Sequence, residues 1–251
     1  MSSEACLALL LDGPMQSWGH ASRFERRATA LHPTRSAVLG LIAAALGIDK
    51  HASDEQIQLK RLKDLRLTTI KLDRLDAYGE KLPIQRLEDY HTVAFTREAG
   101  ANDSRAAKLI AKAQGPITAG DRGSEMKPTM RHYLLDARFG VLIEGTAALL
   151  DEIAAALHDP KWGVWLGRKC CLPASPVLAG LPGERAVVWR QLLQRAGYSG
   201  TESEEQFDRV LEVSPSEPGA DLIEDTPVGY GQPIGERHAP RWIRRVPKSQ
   251  S

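Results

Sequence analysis

The sequence predicts an α+β fold built from two split β-α-β units, and three features carry that expectation. Short apolar runs recur at residues 6–11, 65–75, 135–143 and 162–166; apolar stretches of helical length follow the first and the third; and a long aperiodic excursion separates the halves. With 251 residues, 42% apolar and 26% charged, the chain is ordinary globular material able to bury a real core.

Cys6 to Leu11 is continuously apolar and ends at Asp12-Gly13-Pro14, as a central strand stopped by a turn does. A polar, basic connector follows. After Pro33 a helix is expected, capped by Thr34 or Ser36 and closed by Gly47. Its run from Ala37 to Ile48 has no polar residue, so it should be buried on most sides. Ser53-Asp54-Glu55-Gln56 resembles a capping box opening a short second helix. Leu65 to Leu75 reads as a strand whose apolar phase shifts between Leu67 and Ile70, which predicts a bulge or bend.

From Glu80 to Lys127 periodicity is lost, although Arg86 to Val93 can form a strand and Asp103 to Lys112 a short basic helix. Leu135 to Ile143 alternates as a strand; Thr146 then caps a helix that stops at His158-Asp159-Pro160. Trp162 to Leu166 is read as a further strand, turned by Gly167-Arg168-Lys169. Beyond Pro173 the pattern weakens to a helix or strand at Ala186–Ala196 and a basic-apolar tail, His238–Pro247, of edge-strand type. This order is that of ferredoxin-like domains, which RNA-recognition modules also use.

The net charge of +1 hides an asymmetry: residues 198–226 hold nine acidic side chains against Arg209 alone, so the remainder carries about +9. A basic body is compatible with a polyanionic ligand. Three cysteines without a C-x-x-C pair predict neither a disulfide framework nor a zinc site, and no cofactor is expected. The longest apolar run is well short of the roughly 20 residues of a membrane span, and the N-terminus lacks a basic leader, so a cytoplasmic location is expected.

A helix start with unpaired N–H groups is a natural anion site, which singles out Thr34, Arg35 and Ser36. Gln16 and Trp18 on the connector add a stacking surface for an unpaired base. Arg23, Arg26 and Arg27 can contact phosphates, as can Arg168 and Lys169 after the last strand of the β-α-β series. Arg105, Lys108 and Lys112 share one face of the short basic helix. Tyr90 and His91 are where an enzyme would begin, because a metal-independent ribonuclease needs a base beside the 2′-hydroxyl. No G-x-S-x-G, Walker or H-E-x-x-H motif is present, and Gly229-Tyr230-Gly231 does not open a strand-to-helix unit.

Four of these stretches in order, Gly13–Gly19, Pro33–Leu41, Asp89–Val93 and Leu166–Lys169 with Cys171, resemble the CasD family, subunits of the type I-E CRISPR surveillance complex, Cascade. The likeness is thin over 182–225 and departs from the family pattern at Leu172, where proline is expected. It implies a RAMP-type ferredoxin-like domain over residues 1–172, a projecting thumb at 80–127, and a smaller β-rich part over 173–251 with the acidic segment at 198–226. It further implies a noncatalytic, RNA-binding role in antiviral defence: gripping the bent 5′ handle of the guide RNA (crRNA), capping the filament of backbone subunits and touching the large subunit. Target DNA would be met indirectly, through the complex. A related subtype uses its equivalent as the nuclease that processes repeat RNA, which is the alternative function.

Overall fold

The computed structural model describes residues 4–19, 26–96, 124–230 and 237–249. In chain order its strands and helices are β1 (Glu4–Asp12), β2 (Met15–Gln16), β3 (Trp18–Gly19), β4 (Arg26–Arg27), β5 (Thr29–Ala30), α1 (Arg35–Leu46), α2 (Glu55–Leu62), β6 (Arg66–Lys71), β7 (Arg74–Leu75) and β8 (Lys81–Leu82). There follow β9 (Gln85–Thr96), β10 (Ser124–Leu135), β11 (Arg138–Thr146), α3 (Ala147–His158), β12 (Leu178–Gly183), α4 (Arg185–Arg195), β13 (Arg209–Glu212), β14 (Asp221–Pro227) and β15 (His238–Val246).

One antiparallel seven-stranded sheet, ordered β12-β1-β11-β6-β13-β15-β14, joins both halves of the chain. The first four strands interleave β1-α1-β6 with β11-α3-β12, so the architecture is mixed α/β as expected. Residues 6–11 of β1 are buried on both faces, which is why that run is wholly apolar. Leu7, Leu9 and Leu11 face α1 and α3 with Val38, Ile42, Ile153 and Leu157. Cys6, Ala8 and Leu10 face α4 with Val188, Trp189 and Leu192. The sheet face that an RNA-recognition module leaves open is therefore covered here by a helix.

Thr34 is the N-cap of α1, its hydroxyl accepting from the Ala37 amide, and Gly47 ends the helix in the left-handed conformation at φ 75°. Other expectations need correction. Asp54 precedes α2 without a side-chain capping bond; Glu55 instead accepts the Tyr230 amide at 2.7 Å. The phase shift between Leu67 and Ile70 is no bulge, because both faces of β6 are covered and its register with β11 is unbroken. The strand expected at 135–143 is present as β11 from Arg138, but its first residues form a hairpin corner: β10 ends at Leu135 and Asp136 takes φ 51°. Residues 162–166 form an irregular extended segment anchored by Leu166 N–H to Cys171 C=O, not a strand. Thr146 precedes α3 without a side-chain cap bond, and residues 185–195 resolve as a helix.

The basic tail is not an edge. β15 lies between β13 and β14, and its arginines meet acidic groups of residues 198–226: Arg241 with Glu212 and Asp225, Arg244 with Glu217, Arg245 with Asp221. The alternation of basic and apolar residues reflects charge pairing inside the sheet, and it places much of the acidic segment beside its own counter-ions. The helix expected at 103–112 lies outside the described residues.

Candidate nucleic-acid interface

The start of α1 is an anion site, and its anion is internal. Asp225 Oδ2 accepts the Arg35 amide at 2.8 Å and Arg241 Nη2 at 2.9 Å, while Oδ1 accepts Arg241 Nε. Burial raises the Asp225 carboxyl pKa, but Arg241, followed by the amide and charge of Arg35, outweighs this and holds it below the usual carboxylate range. The Arg35 side chain, 3% exposed, bonds Glu212 and the Lys63 carbonyl. Arg35 is thus a lattice point between α1 and the C-terminal strands and presents no guanidinium to a ligand. A cavity of about 620 Å³ alongside is lined by His32, Thr34, Leu222, Asp225 and Arg245. Burial holds His32 below its ordinary pKa, so it adds no charge there at neutral pH. Thr34 is buried at this end, and Ser36 lies 3.3 Å from it, hydroxyl to hydroxyl.

Trp18 and Gln16 also turn inward. Both are fully buried; Trp18 Nε1 donates to Gln16 Oε1 at 3.2 Å, and Gln16 Nε2 donates to the carbonyls of Leu11 and Ala137. The indole is a core post, closed by the Thr29 hydroxyl accepting its backbone N–H, and offers no stacking face. A tryptophan in a polar connector reads the same way in sequence whether it points in or out.

The exposed Arg26 and Arg27 and the half-buried Arg131 and Arg168 meet elsewhere. β10 carries β9 antiparallel along its full length and pairs β4 in parallel, with Arg27 opposite Arg131 and Arg131 opposite Asp89; Arg26 is opposite Met130 and Met130 opposite Tyr90. Partners across a ladder share a face. One face of this ribbon therefore carries Arg27, Arg131, Asp89 and His91, and the other Arg26, Tyr90 and His132. Arg168 joins the first face: its Nη2 donates to the Arg27 carbonyl at 2.9 Å, and its guanidinium sits 4.8 Å over the Tyr133 ring. Lys169 lies over Trp165 at 5.7 Å.

Gly167 makes this turn possible. It has φ 96°, and a Cβ there would lie 1.8 Å from the Ser17 carbonyl oxygen. Arg26, Arg27, Arg86, Arg131, Arg168 and Lys169 form no ion pair among the described residues, whereas Arg35, Arg74, Arg138, Arg185 and Arg241 are all paired internally. Tyr90 is 64% exposed. His91 Nδ1 is 3.9 Å from Asp89 and His132 Nε2 3.6 Å from Glu88. As neighbours along a strand, Tyr90 and His91 point to opposite faces and do not converge on one reacting group. Arg131, His132 and Tyr133 were missed in sequence because β10 emerges from a stretch without periodicity. Arg23, Arg105, Lys108 and Lys112 lie outside the described residues. Among the described residues no His, Cys, Asp or Glu cluster could hold a metal, and no helix is long and apolar enough to cross a membrane.

Comparison with known proteins assigns the class. The family model described as CRISPR-associated protein (Cas_Cas5) matches residues 6–239. The CRISPR system Cascade subunit CasD of Escherichia coli (strain K12) is 32% identical over 177 residues, covering 69% of this chain and 70% of the relative. A chain of a CRISPR RNA-guided surveillance complex superposes with a TM-score of 0.64 at 27% identity, covering 97% of this chain and 90% of that one. A Cas protein crystal structure gives 0.54 at 25% identity, covering 97% and 95%. These matches define a CRISPR-associated protein. Within that class the chain belongs to the Cas5 family, as a CasD-type member of type I-E systems.

Proposed function

We propose that this chain is the noncatalytic subunit that grips the 5′ handle of the guide RNA in a type I-E surveillance complex, caps its backbone filament and contacts the large subunit. One observation carries the RNA half of this reading: cations without counter-ions among the described residues gather on the β4-β10-β9 ribbon and the adjoining turn at Arg168. Arg26, Arg27, Arg131 and Arg168 bind phosphates from the two faces and the base of the ribbon, and Tyr90 stacks on an unpaired base. The interleaved β-α-β units form a ferredoxin-like domain, with residues 80–127 as its thumb and 173–251 as a β-rich part that braces it. RNA lies against the thumb and not on the main sheet, whose open face α4 covers.

The test is to express the protein with its neighbouring subunits and sequence the 5′ end of the RNA that copurifies. A uniform handle is expected, and normal assembly on a guide with a scrambled handle would refute the reading. Ribonuclease activity is disfavoured by the divergence of Tyr90 and His91. Incubation with repeat RNA in EDTA should give no His91-dependent cleavage.

A further inference from the structure

Two adjacent thiols sit in the turn that aims Arg168. Cys170 is exposed and Cys171 buried, with their Sγ atoms 4.0 Å apart. The Cys171 amide donates to the Arg168 carbonyl at 2.8 Å and its carbonyl accepts the Leu166 amide at 2.8 Å, so the backbone of Cys171 fixes the turn. Cys170 Sγ lies 3.7 Å from the Tyr133 hydroxyl, and the Tyr133 ring is the surface under the Arg168 guanidinium. Arg168 Nη1 is buried with no hydrogen-bond partner, which leaves its position dependent on these contacts.

From this juxtaposition we infer that Cys170 and Cys171 are an oxidisable dithiol whose intramolecular disulfide displaces the Arg168 turn and weakens the grip on RNA. The RNA half rests on the function proposed above. With hydrogen peroxide as oxidant, the Cys170 thiolate attacks one peroxide oxygen, the O–O bond breaks and hydroxide leaves to take up a proton, giving a sulfenic acid. The Cys171 sulfur then attacks Cys170 Sγ, the S–O bond breaks, and the departing hydroxide takes the Cys171 proton. Two thiols and one peroxide become one disulfide and two waters.

Exposure makes Cys170 the entry point. Burial, reinforced by the Cys170 sulfur, pushes the Cys171 thiol up to about 12, so the ring-closing step accelerates as pH rises. Bonded sulfurs stand about 2.05 Å apart, and the Cα atoms of neighbouring residues about 3.8 Å, below the roughly 4.4–6.8 Å of ordinary disulfides. The ring is consequently strained and readily reduced, as a reversible modification requires. Cys6 packs beneath α4 on the far side of the sheet and takes no part.

The purified full chain is treated with hydrogen peroxide, then with dithiothreitol, and three quantities are followed. The mass of the peptide spanning 166–173 should fall by two hydrogens and recover. Exchange of the Cys171 amide should accelerate with oxidation, and affinity for single-stranded handle RNA should fall several-fold and return on reduction. Cys170→Ser should abolish all three changes and Cys6→Ser none. A Cys170 sulfinic acid without a ring overturns the inference, as does a ring that leaves Cys171 exchange and affinity unchanged. If the reduced protein fails to bind handle RNA, the proposed function falls and the RNA half of this inference with it, while mass and exchange still decide the dithiol.

Discussion

Asp225 and Arg35 show how a helix start that looks like a ligand site becomes a structural joint. The carboxylate takes the Arg35 amide and the Arg241 guanidinium in a buried setting, so truncating it leaves that amide without its acceptor and Arg241 with Glu212 alone. Asp225→Ala should cost about 3 kcal/mol in urea unfolding. The sign of the pH effect follows from its depressed pKa: the contribution is complete above the unfolded value of about 3.9 and is lost as pH falls through the lower folded value. Asp225→Asn should therefore flatten the acid limb of the stability profile, which thermal melts from neutral to acid pH would reveal. Trp18→Ala should cost about 3–5 kcal/mol, whereas Trp18→Phe should leave RNA affinity unchanged at equal folded fraction, because the indole is wholly buried.

At the scale of elements, the turn at 166–171 and the ribbon act together. Gly167→Ala drives a Cβ into the Ser17 carbonyl and forces an unfavourable φ. It should weaken RNA binding as much as Arg168→Ala does, with the far-UV spectrum retained, as titration and circular dichroism together would show. Elements with local signatures were readable in sequence: β1 from its apolar run, α1 from Thr34 and Gly47, β9 and α3 from their patterns. The corner at Asp136 was not, because a positive φ at aspartate leaves no mark in hydropathy. The site was harder still. Arg35 and Asp225 lie 190 residues apart, and nothing local tells an arginine that will find a carboxylate from one that will not. Arg168 was legible as a turn cation, while Arg131 needed the ladder that sets it beside Arg27.

Across the whole molecule, pairing sorts the positive charge. The acidic segment neutralises Arg241, Arg244 and Arg245 within one sheet, and the ribbon cations have no counter-ion among the described residues. The most direct test of that partition is the salt dependence of handle-RNA affinity, measured for the wild-type chain, Ser36→Ala, and the triple variant Arg26→Gln, Arg27→Gln, Arg131→Gln. Each lost phosphate contact should reduce the slope of log affinity against log salt by about 0.7 for a single strand. The slope should be shallower by about two units for the triple variant and, because serine carries no charge, unchanged for Ser36→Ala. A wild-type slope in the triple variant would contradict that partition.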